Sequence, residues 1–137
     1  MDVNYIAVLV AAVAQFVVGA IWYMPIFGKL WGQIHGFQKL SKSQQKEAQQ
    51  QMMPMLVVQF IGTLLTTVVL AKITDATSVY APYSLALLIW AGFFVPSQVS
   101  AVIFGGTDPK WVVKKTAIMA GGSLACLLVA TAILQAF

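Results

Sequence analysis

One histidine, one cysteine and four carboxylates are the residues of this chain best suited to metal or thiolate chemistry. His35 has no second histidine with which to share a metal, and Cys126 has no partner for a disulfide or a thiolate zinc site. Cys126 sits in an apolar run and reads as a small core residue. Asp108 and His35 are the only titratable groups of this kind expected near one face, too few for general acid–base work. No residue is assigned a catalytic, cofactor-binding or metal-binding role, and the chain is expected not to be an enzyme. What remains is neutral hydrogen-bonding chemistry. Gln15, Gly19 and Trp22 share one helical face, and Gln59, Thr63 and Thr66 share another. Gln98 follows Pro96, and Ser123 follows Gly121 and Gly122. Amides and hydroxyls in a lipid-embedded helix should turn toward protein, because hydrocarbon leaves them unsatisfied. Two readings of this polar layer stand side by side. It lines a path for a polar solute, or it bonds helix to helix while small residues let backbones approach. Ion-coupled pumps usually keep an ionisable group deep in a span. None is expected here, which favours helix bonding.

Aromatic residues crowd residues 19–32, GAIWYMPIFGKLWG. Trp22 and Tyr23, with Phe27, Trp31 and later Trp111, are expected as anchors at the membrane–water boundary, where an apolar ring with a polar edge is at home. Pro25 should end or bend the first helix near Met24. Beyond it, Phe27, Leu30, Trp31, Ile34 and Phe37 recur at roughly helical spacing, opposite Lys29, Gln33 and Gln38. That pattern predicts a short helix lying in the headgroup layer. A ligand-binding aromatic cleft is the sharper alternative.

The elements that must position these residues follow from composition. Charged residues are 9% of the 137, against about 25% in a water-soluble domain. Mean hydropathy is +0.85. A span needs roughly 20 apolar residues, and four stretches qualify, at about 3–24, 53–73, 82–104 and 112–135. The first lacks a positive leading segment and is too long for a cleaved signal, so it is expected to be retained. The net charge of +4 comes entirely from Lys. The absence of Arg argues against specific nucleic-acid contacts. Lys29, Lys39, Lys42 and Lys46 fall between the first two spans, and Lys110, Lys114 and Lys115 between the last two. Only Lys72, near Asp75, falls on the other side. Loops 25–52 and 105–111 should therefore be cytoplasmic and both termini outside, Asp2 included. Lys110, Lys114 and Lys115 are also candidate contacts for anionic lipid. Ser41 and Gln44 have capping-box spacing, so the polar run to Gln51 reads as a helix feeding the second span, with a kink at Pro54. A flexible Gln-rich loop is the other reading. Pro82 suits a first helical turn, and Asp108 with Pro109 suits a capped start.

The first and third spans end alike. IFGKLW at 26–31 and IFGGTDPKW at 103–111 each follow an Ile-Trp pair and a Pro. Two helical hairpins related by an axis along the membrane normal would explain this. So would independent convergence on residues common at helix ends.

Asn4-Tyr5, Ala11-Ala12, Gly19, Trp22-Tyr23, Pro25, Phe27-Gly28 and Trp31 together resemble the opening of a small bacterial membrane-protein family, domain of unknown function 1761. Trp90, Gly92-Phe93, Pro96 and Phe104 resemble its third helix more loosely. Gly105-Gly106 depart from it, since more polar residues are expected there. The resemblance implies a four-helix integral membrane protein and supplies no activity. The expectation is an all-α bundle of four transmembrane helices in the cell membrane, surrounded by membrane lipids and assembled as a homo-oligomer, with no cofactor. Its leading function is association with itself, lipid or another protein. The alternative is a small transporter or channel for a neutral or weakly polar solute.

Overall fold

Asn4 opens the first helix by accepting the N–H of Ala7 on its side-chain oxygen at 3.1 Å. The computed structural model describes residues 3–137, so the expected outer position of Asp2 lies outside the described residues. Among the described residues, four helices are long and apolar enough to cross a membrane: Tyr5–Ile26, Lys42–Ala76, Pro82–Phe104 and Pro109–Ala136. They are called here the first to fourth spans.

The first span does not stop at Met24. It continues through Pro25 as a π-helical turn, Trp22–Ile26. The proline has no N–H to give, and the wider turn moves the bonding on by one residue. The Phe27 N–H then reaches the Trp22 carbonyl at 3.0 Å. The third span contains the same device at Trp90–Phe94, where the Val95 N–H bonds the Trp90 carbonyl just ahead of Pro96.

A short helix, Gly28–Ile34, and a 3-10 turn, Phe37–Lys39, follow the first span. Phe27, Leu30, Trp31, Ile34 and Phe37 are all half-buried, while Lys29, Gln33 and Gln38 are exposed. The amphipathic pattern is therefore real, and its apolar face packs at least partly on protein. The polar run after Ser41 is helix rather than loop. Ser41 and Gln44 form both bonds of the capping box, at 3.2 and 2.9 Å. One helix of 35 residues runs from Lys42 through Pro54 to Ala76. At 1.5 Å per residue it is about 52 Å long, about 20 Å more than the hydrocarbon layer needs.

Pro82 occupies the first turn of the third span as expected. That span closes on Gly105, where a Cβ would meet the Ala101 carbonyl at 2.5 Å, and on Gly106 at φ +73°. The helix end requires both glycines, which accounts for polar residues being absent there. Asp108 caps a 3-10 turn, Pro109–Trp111, that leads into the fourth span.

The fourth span is the centre of the molecule, packing on the first along its length and on the third beside it. Ala7, Ala11 and Ala12 are almost fully buried and let the first helix come close. Ala11, Leu70, Leu127 and Ala130 form a core to which Ile89, Trp90 and Phe94 add from the third span. The second span leans chiefly on the first, where Phe16 and Phe60 meet edge to face at 5.1 Å. It scarcely touches the third. Between them lies an open cleft of about 380 Å³ lined by Leu65, Val69, Ile73, Ile89 and Phe93, with Thr66 as a polar lining residue.

Candidate functional site: a polar collar on the fourth span

Gly121 and Gly122 leave a shallow seat on the fourth helix, and Trp22 fills it. A Cβ on Gly121 would stand 2.7 Å from Trp22 Cζ2, and one on Gly122 would stand 3.0 Å from Trp22 Cδ1 and 3.3 Å from the Tyr23 hydroxyl. Real Cβ atoms do not come as close as 2.7 Å, so the seat requires glycine at 121, and at 122 a Cβ would fit only if the rings gave way by a few tenths of an ångström. Seated there, the Trp22 indole N–H donates to the Ile118 carbonyl at 2.9 Å. From the third span, Trp90 donates to the Ala120 carbonyl at 2.8 Å and the Gln98 amide to the Met119 carbonyl at 3.3 Å. Three consecutive carbonyls of the fourth helix thus each accept a side-chain bond. Successive carbonyls point about 100° apart around a helix of 3.6 residues per turn, so neighbours on two sides can reach them. The Ser123 hydroxyl lies 3.0 Å from the Ala120 carbonyl and 3.4 Å from Gln98 Oε1.

A second polar contact ties the first span to the second. Gln15 is buried, and its amide donates to Thr67 Oγ1 at 2.8 Å and to the Ala11 carbonyl at 3.2 Å. Thr67 passes the chain on to the Thr63 carbonyl at 2.6 Å, and the Thr63 hydroxyl donates to the Gln59 carbonyl at 3.0 Å. Cys126 Sγ lies 3.6 Å from the Gln15 carbonyl, a weak contact that brings the fourth span in.

The expected single polar layer is therefore two clamps, Gln15–Thr67 and Gln98–Ser123, with the Trp collar beside them. Two of its expected members fall away. Gln59 is exposed, because the second span rests on the first and turns the Gln59 face outward. Gly19 has no described atom within 4 Å of where its Cβ would stand, so no close approach uses it. Thr63 is half-buried and contributes through its backbone.

The aromatic residues expected as anchors also make contacts within the protein. Trp22 turns inward to its glycine seat, with Phe27 against it at 4.9 Å. Tyr23 packs on Trp31 at 4.8 Å, and Trp31 on the His35 ring at 4.5 Å. Trp111 is half-buried at the start of the fourth span, with Lys110 Nζ and Lys114 Nζ 5.7 and 5.4 Å from its ring centre. Lys115 Nζ stands 5.8 Å from the Trp31 ring. These lie within cation–π reach.

Sequence reasoning missed Thr67 and the role of Trp90. Thr67 follows Thr63 by four residues, the spacing that keeps two side chains on one face. Trp90 carried its own signal: an indole at mid-span needs an internal acceptor.

Fold and site together define a helical bundle with four helices long and apolar enough to cross a membrane, held by hydrogen bonds onto one central helix. The chain matches, over residues 6–135, the family model described as "Protein of unknown function (DUF1761)". It belongs to that family. No curated protein and no solved structure matches the chain.

Proposed function

We propose that this protein works by association within the membrane, first with a second copy of itself, and that it turns over no substrate. The observation that carries this reading is Gln59. It lies about 9 Å inside the Lys-rich end of the second span, at 1.5 Å per residue from Met53. Its side chain is exposed there, with Gly62 exposed and Thr63 and Thr66 half-exposed nearby. An amide in hydrocarbon lacks a partner unless protein supplies one, and small neighbours let a partner helix come close. A twofold axis along the membrane normal would bring Gln59 to its own copy, each amide donating to the other's carbonyl.

The interior weighs against the solute-path reading. The Gln15 amide and the Trp22 and Trp90 indoles are occupied in bonds between helices, and the open cleft between the second and third spans has a mostly apolar lining. In this reading the protein lies in the cell membrane with loops 25–52 and 105–111 cytoplasmic, as the Lys distribution favours.

Cross-linking tests the interface. In a Cys126→Ser background, Gln59→Cys should form an interchain disulfide under mild oxidation in native membranes, and Val17→Cys should not. Equal cross-linking at both positions, or none at position 59, would count against this face.

A further inference from the structure

The two Lys-rich connections meet in a cleft of about 240 Å³ lined by Gln33, Gly36, Gln38, Lys39, Lys110 and Trp111. We propose that this cleft binds a phosphate group, supplied by the headgroup of an anionic phospholipid. It is independent of the association face on the second span.

The chemistry of the lining carries the inference. Two ammonium groups and two amides offer hydrogen-bond donors, the set that an oxyanion needs. Counter-charge is scarce. Segments 25–40 and 105–115 hold five lysines and one carboxylate, Asp108. That carboxylate already accepts the backbone N–H of Lys110 at 3.2 Å. Lys39 and Lys110 both line the cleft, so two like charges are gathered there, and Lys114 adds a third ammonium 5.4 Å from the centre of the lining Trp111 ring. An anion held there would relieve their repulsion.

Depth argues for lipid as the source. Trp111 starts the fourth span, so the cleft stands where hydrocarbon gives way to headgroups. Val113, two residues further on, is 78% exposed and offers an apolar surface to an acyl chain. The cleft is open to the surface and far roomier than one water needs, so a phosphodiester can enter it.

The test is native mass spectrometry of the full chain released from nanodiscs with equal phosphatidylglycerol and phosphatidylcholine. The wild type should retain phosphatidylglycerol preferentially, by about fivefold for each lysine engaged. The double variant Lys39→Gln/Lys110→Gln should bring the ratio close to parity. Lys39→Arg/Lys110→Arg should keep the preference, and Lys72→Gln at the opposite end should not change it. Unfolding temperature, followed in parallel, separates loss of binding from loss of fold, and Lys110→Gln alone should give an intermediate ratio. Parity in the wild type, or an unchanged ratio in the double Gln variant, overturns the site. Displacement of the lipid by millimolar inorganic phosphate, dependent on Lys39 and Lys110, would support the phosphate site and overturn the lipid as its source.

Discussion

Trp22 fits closely against the Gly121–Gly122 seat, and the fit makes a sharp prediction. Gly121→Ala puts a methyl 2.7 Å from the indole, so the ring must leave its seat or the helices must part. Overpacking of this kind costs about 1–3 kcal/mol. Trp22→Phe removes ring volume and the bond to Ile118. The two changes together should cost less than their sum, because the smaller ring makes room for the methyl. Thermal unfolding of the two single variants and the double variant in lipid nanodiscs checks this, and strict additivity would contradict the seat. Gln15 and Thr67 make a second, asymmetric case. Gln15→Leu leaves Thr67 still donating to Thr63, so the loss should be small, about 0.6 kcal/mol. Thr67→Val strips the buried amide of its main partner and should cost more, about 1–3 kcal/mol. Much of this was legible in residue types alone. Gln15, Gln98 and Ser123 announce themselves as polar groups among apolar ones. Their partners did not, because a backbone carbonyl such as Ile118 O has no signature in sequence. Trp22 shares a face with Gln15 in sequence, but the glycine seat that receives its ring lies on the fourth helix and is not visible from the first.

The elements themselves were the most legible layer, because about 20 apolar residues are the plain requirement for crossing lipid. Pro82, Asp108 and the Ser41–Gln44 box marked helix starts that the structure contains. The two π turns were not legible. A proline in sequence says that the regular ladder must fail, and it does not say whether the helix stops or widens. Trp22 and Trp90 share more than a π turn, since each also donates its indole N–H to the fourth helix. The polar start of the second span gives a prediction at this scale. Ser41→Ala removes one half of the capping box and should destabilise the first turns by about 1 kcal/mol. Amide hydrogen exchange should then quicken by several-fold over residues 44–51 and stay unchanged over the fourth span. Equal protection in the two proteins would mean that packing, not the cap, holds this extension.

Across the whole molecule, packing is uneven: one central helix gathers the first and third spans, and the second remains at the margin. This arrangement leaves Gln59 facing outward and the two Lys-rich connections at one end. The orientation that these lysines favour is open to direct test. In a Cys126→Ser background, Ser78→Cys should react with an impermeant thiol reagent on intact cells, and Ser43→Cys only after the cells are broken. The reverse pattern would invert the topology. The proposed association had only one trace in the sequence, an excess of small and polar residues in the spans. Which face carries it depends on which helix is left at the margin, and that is a property of the assembled bundle. The most direct test of association is the mass of the protein in mild detergent and in bilayers of several compositions, for wild type and Gln59→Leu. The wild type should contain more than one chain per particle, and Gln59→Leu should shift toward one while keeping its unfolding temperature. A wild type that stays a single chain at every concentration and in every lipid, or a Gln59→Leu variant that assembles as well as the wild type, would contradict it.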